Sequence, residues 1–125
     1  MGRVRQEIDV RGRGCWTLFD TGARNTYVTG DVASLLVTAP TDAPLRTGLG
    51  GAIRESKVIA VLKAIVEGHP ISTHAYVLDE IGKDEDGRPI EILFGALAMQ
   101  QWGIRPVPDE EKLDLTHFSS EFIEF

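Results

Sequence analysis

The stretch "WTLFDTGARNTYV", Trp16 to Val28, decides how this chain is read. An apolar pair, Leu18-Phe19, leads straight into the tripeptide Asp20-Thr21-Gly22. Glycine at the third position lets the backbone turn tightly and bring its N–H up to the preceding carboxylate. The apolar run buries the strand that aims the aspartate. Asp and Gly are also common in ordinary β-turns, so the tripeptide alone leaves a plain turn open as a reading.

The rest of the chain bounds what this carboxylate can do. Its 125 residues fit one domain, 1–125, with a modest core to which dimerisation would add. Apolar residues at 42% and charged residues at 26% are ordinary for a globular protein. Thirteen Lys plus Arg against nineteen Asp plus Glu give a net charge of -6. That balance argues against a nucleic-acid or anionic-membrane surface. The single cysteine, Cys15, excludes an intrachain disulfide and a Cys-based metal site, and it reads as a small buried side chain. The longest apolar run, "VIAVLKAIV", is interrupted by Lys63 and too short to span a bilayer. No apolar segment of signal-peptide length follows Met1, so a reduced, cytoplasmic location is expected.

Patterning predicts a mainly β domain with one short helix. "EIDV" alternates with Ile8 and Val10 on one face, and "CWTLF" is an extended segment feeding the turn. Asp31 is expected to cap one short helical turn, and residues 39–51, broken by Pro and Gly, read as loop. "SKVIAVLKAIVEG" predicts a long strand, Glu67-Gly68 a turn, and "HPISTHAYVLD" the returning strand. "EIGKDEDGRP" reads as a polar loop and "IEILF" as a strand meeting Gly95. "ALAMQQW" predicts a helix stopped by Gly103. Pro106 and Pro108 predict an extended linker, and "KLDLTHFSSEFIEF" two short strands around Ser119-Ser120.

Three elements in order carry a resemblance: "LFDTGARNTYV", with Thr26 three residues past Ala23, the glycine-rich "RTGLGGAI", and "EILFGALAMQQWGI". Together they resemble a retropepsin-like aspartic protease, the single-domain type. The resemblance spans nearly the whole chain and implies a closed, β-barrel-like acid-protease fold. It also implies a flap hairpin, one short helix and a two-fold homodimer. By it, Asp20 would be the catalytic aspartate, with Thr21 bonding between subunits beneath it. Gly22 would offer its carbonyl to the substrate backbone, and Ala23 would line the first subsite. Thr47, Gly48, Leu49, Gly50 and Gly51 would form the flap, and Leu93 would face substrate side chains. Neither cofactor nor metal is implied, and the partners would be a second copy of the chain and an extended peptide.

Two departures from the retroviral pattern stand out. An acidic residue after DTGA and an arginine after the second-motif glycine usually pair, but Arg24 and Ala96 occupy those positions. Both partners of the ion pair are gone together, so packing is expected to hold the region. Arg24 would then point to the cleft or solvent, where it would favour acidic substrate positions. Few residues precede the first strand, so the tail ending in "FIEF" is expected to build the dimer sheet.

The chemistry itself requires two carboxylates, and one such tripeptide exists. Asp9, Asp42, Asp79, Asp84 and Asp114 all lack the apolar-strand-plus-glycine setting. A two-fold axis would supply the partner, Asp20 facing Asp20 of another copy. A dimeric peptide-binding module without turnover, or an unrelated β domain, are the competing readings. Other signals are weak. "GLGG" lacks the Lys-Ser/Thr of a phosphate loop, and Asp84 to Gly87 lacks EF-hand spacing and reads as a solvated turn. His69, His74 and His117 share no ligand spacing, and Trp102 reads as core.

Overall fold

A computed structural model describes residues 2–119. Strand β1 (Arg3–Val10) folds back on β2 (Arg13–Asp20) in full antiparallel register, Arg3 opposite Asp20 and Val10 opposite Arg13. Period-two alternation buries Val4, Ile8 and Val10 on β1 and Cys15, Thr17 and Phe19 on β2. Burial pushes the Cys15 thiol up from its usual range, with nearby Glu91 adding to the shift.

Short strand β3 (Tyr27–Thr29) runs into helix α1 (Gly30–Ala33). Thr29 rather than Asp31 occupies the N-cap, and Asp31 lies inside the first turn, where a carboxylate suits the helix dipole. Strand β4 (Val37–Leu49) covers most of the segment expected to be loop. Pro40 and Pro44 are tolerated because β4 is the outer strand of the sheet, and the register shifts between Pro40 and Leu45. The long hairpin β5 (Ala52–Val66) and β6 (His69–Leu78) turns at Glu67-Gly68 as the sequence indicates.

Strand β7 (Ile92–Phe94) inserts between β2 and β3, parallel to the first and antiparallel to the second. Helix α2 (Ala96–Trp102) follows and ends at Gly103. The expected proline linker is instead β8 (Arg105–Val107) and a 3₁₀ turn at Pro108–Glu110. Strand β9 (Lys112–Asp114) returns to pair with β8. Pro106 fits because a two-stranded ribbon has only edge strands.

The main sheet runs β1-β2-β7-β3-β6-β5-β4, and one bridge, Asp9 to Ile65, joins β1 to β5. The closed barrel expected from the resemblance is therefore reduced to a sheet folded back through a single residue pair. Its core centres on Phe19 and Phe94, whose rings lie 4.9 Å apart, with Val4, Val28, Leu62 and Ile92 around them. Leu113 belongs to this core, and Phe118 stacks near Trp102 and His69. The first part of the tail thus packs against the core of the same chain, while "FIEF" lies outside the described residues.

Asp84 corrects the reading of its loop as a solvated turn. Its side chain is only 3% exposed and accepts from the Trp16 indole at 2.8 Å and the Arg88 and Asp86 N–H groups at 2.9 Å. The Arg88 guanidinium lies over the Trp16 ring at 3.9 Å. Burial works to raise the Asp84 carboxyl, but the Arg88 N–H, the indole, the Asp86 N–H and the Arg5 charge outweigh it and hold it low. These bonds dock the segment 81–90 onto β2, where it forms one wall of the cleft described below.

Two outcomes follow. Asp84→Asn lowers the thermal midpoint at neutral pH. A carboxyl depressed by folding stabilises above its unfolded pKa, so the deficit shrinks as pH falls below about 4. A pH-independent deficit in thermal melts contradicts this account of the anchor. At Gly95 an added Cβ would lie 2.1 Å from the Asn25 carbonyl oxygen. Gly95→Ala is expected to cost about 1–3 kcal/mol in denaturant unfolding, and an unchanged midpoint would refute the close contact.

Candidate active site

The Asp20 carboxylate ends β2 at the floor of an open cleft of about 560 Å³. Its side chain is 10% exposed. One oxygen, Oδ1, accepts the Gly22 N–H at 2.8 Å, the tight turn that the glycine permits. The other, Oδ2, lies 3.4 Å from Arg3 Nε on the neighbouring strand.

The loop after Asp20 is held from below by main-chain bonds. The first two donors of α2, Ala96 N–H and Leu97 N–H, reach the carbonyls of Ala23 at 2.7 Å and Arg24 at 3.1 Å. A helix N-terminus leaves such donors without partners of its own, and here the DTGA loop satisfies two of them. Gly95 N–H donates to the buried Thr26 hydroxyl at 3.1 Å. Where the ion pair of the retroviral pattern is absent, backbone hydrogen bonds join the loop to the helix. Arg24 is exposed and lines the cleft.

Above the floor, the hairpin of β4 and β5 turns at Gly50-Gly51, both in the left-handed region at φ 56° and 81°. Two successive positive φ values favour a two-residue turn of glycines. Tyr27 Oη donates to Thr47 Oγ1 at 2.9 Å, tying the hairpin to β3.

Most residues singled out in the sequence meet around this cleft. Asp20, Gly22, Ala23, Arg24 and Leu93 line its floor and wall, and Thr47, Gly48, Leu49 and Gly50 line it from the hairpin. Gly51 and Thr21 are not among the lining residues. Thr21 is engaged with residue 2: its N–H donates to the Gly2 carbonyl at 2.9 Å, and its hydroxyl accepts Gly2 N–H at 3.2 Å. Sequence reasoning missed Arg3, Tyr27 and Arg54, and the wall from Ile81 to Lys83 with Ile90. Their partners lie many residues away, so no local pattern announces them.

A wider depression of about 850 Å³, lined by residues 29–31, 79–83 and 88–91, contains no part of the tripeptide. The site is assigned to the smaller cleft because the buried carboxylate opens there. Among the described residues, no three His, Cys, Asp or Glu side chains group to hold a metal ion. No helix among them is long and apolar enough to cross a membrane.

No protein-family model and no curated protein sequence matches the chain. Solved structures do. The retroviral protease-like domain of Ddi1 from Leishmania major superposes with a TM-score of 0.63 at 13% identity, over 94% of this chain and 91% of that one. EIAV protease in complex with the inhibitor HBY-793 gives 0.56 at 21% identity, over 84% and 92%. The foamy viral protease-reverse transcriptase gives 0.58 at 12% identity, over 85% of this chain and 12% of that one. Strand order, the glycine-turned hairpin over the carboxylate and these three likenesses agree: the chain has the retropepsin-like fold.

Proposed function

We propose that the chain is an aspartic endopeptidase acting as a homodimer, with Asp20 and its symmetry mate as the catalytic pair. The observation that carries this reading is the Asp20 carboxylate. It is nearly buried, fixed by the Gly22 N–H, and opens into a cleft beneath a glycine-turned hairpin. The retropepsin-like fold supports it.

Two carboxylates facing each other at hydrogen-bond distance share one proton, because both cannot ionise. The ionised member takes a proton from a bound water while the protonated member donates to the scissile carbonyl. Water attacks, the amide nitrogen leaves with a proton, and no covalent enzyme intermediate forms. The substrate lies extended, its backbone meeting the Gly22 carbonyl below and the hairpin above, which acts as a flap. Ala23, Leu49 and Leu93 supply apolar pocket walls. Thr21 exchanges its bond to Gly2 for one to the partner subunit when the dimer forms.

A silent peptide-binding module of the same fold is favoured by two contacts. In the single chain, Arg3 already flanks Asp20 Oδ2 and Gly2 already engages the Thr21 hydroxyl. Asp20→Asn separates the two readings. Wild type should cleave a denatured protein with a bell-shaped pH profile and lose specific activity on dilution, and the variant should be inactive. Turnover that survives the substitution rules out the dyad.

The flap assignment has its own check. Tyr27→Phe removes the tether to Thr47 and should cost about 1 kcal/mol of stability. Amide exchange should accelerate in the hairpin, residues 47–54, more than in the β5–β6 turn. Uniform acceleration would argue against a local tether.

A further inference from the structure

The cleft carries a charge opposite to that of the whole chain. The protein has a formal net charge of -6, yet among the described residues four cationic side chains line the cleft and Asp20 is the only carboxylate doing so. The four come from separate segments: Arg3 on β1, Arg24 after the tripeptide, Arg54 on β5 and Lys83 in the loop before β7.

They are not equally engaged. Arg3 is 3.4 Å from Asp20. Arg54 reaches the exposed Glu80 at 3.3 Å through one terminal nitrogen, while its buried Nε has no acceptor. Arg24 and Lys83 are exposed and have no ion-pair partner among the described residues. Between them lie apolar walls from Leu18, Ile81, Ile90 and Leu93. Cations held at the mouth of an apolar cleft focus their field into it and favour an anionic occupant.

We propose that this cleft selects extended peptides bearing Asp or Glu close to the bond to be cleaved, with Arg24 and Lys83 as the specificity-determining residues. The inference rests on the reading of the cleft as a peptide site. In a two-fold dimer each cation occurs twice, so acidic side chains are recognised on both sides of the scissile bond. The apolar walls between the cations suit the side chains of an extended peptide, while the net charge of -6 outside the cleft repels the long phosphate track of a nucleic acid.

The test uses two synthetic peptides, identical except for Glu or Gln flanking the central bond, with that amide replaced by a neutral, uncleavable hydroxyethylene. Fluorescence anisotropy against the intact wild-type chain reads binding without turnover. The Glu peptide should bind about tenfold tighter at low salt, with the advantage shrinking as salt screens it. Arg24→Gln and Lys83→Gln should each reduce the advantage about threefold, and Arg24→Glu should abolish it. Equal binding of the two peptides, no binding of either, tighter binding of a single-stranded oligonucleotide, or selection that survives both Gln variants overturns the proposal. Ordinary amide versions, assayed in parallel, report on cleavage separately. An acidic peptide that binds selectively but is never cut removes the protease reading and leaves the charge selection standing.

Discussion

The rest of the site depends on a main-chain clamp, the first two N–H groups of α2 bonded to the carbonyls of Ala23 and Arg24. Unpaired donors at a helix start are costly when buried, and so are unpaired carbonyls in a loop beneath a cleft. Each solves the other's problem. The arrangement is possible because residue 95 has no side chain where the Asn25 carbonyl passes. From that contact the tripeptide inherits its position, since β7 lies between β2 and β3 and carries the helix with it. An ion pair at the same place would require two full charges to be desolvated; the backbone version desolvates only neutral dipoles.

The three walls of the cleft come from distant parts of the chain, and each adds a polar contact to the apolar cluster of Tyr27, Leu78, Ile81, Ile90 and Leu93. Asp84 docks the 81–90 segment against Trp16. Tyr27 holds the hairpin through Thr47. Arg3 approaches Asp20 from the first strand. Apolar packing around Phe19 and Phe94 supplies the platform, and these polar contacts set where the walls stand on it.

What could be read from sequence was what local pattern encodes. The alternation around Ile8 and Val10, the turn at Glu67-Gly68 and the helix ended by Gly103 all have short-range signatures, and all are present. The paired glycines at 50 and 51 turn the hairpin that the resemblance implied, where local pattern alone read residues 39–51 as loop. Strand β4 stayed hidden because Pro40 and Pro44 look like breakers unless the strand is known to lie at an edge. Asp84 looked like one of several exposed acids, because its indole partner is 68 residues away. Tyr27 lies inside the opening stretch itself, yet its hydroxyl contact depends on a chain crossing twenty residues later. The cationic cleft was half visible through Arg24, whereas Arg3, Arg54 and Lys83 come together only through the fold.

The outer position of β4 has a consequence for how molecules of this protein meet. A thirteen-residue strand at a sheet margin would ordinarily invite another strand to add alongside it and propagate into aggregates. Here two prolines lack the donors that such an addition needs, and the register break between Pro40 and Leu45 interrupts the ladder. Pairing is split into two short runs, residues 37–40 and residues 45–49 beside the glycine turn. An edge broken in this way offers no long unbroken ladder on which copies of the chain could stack.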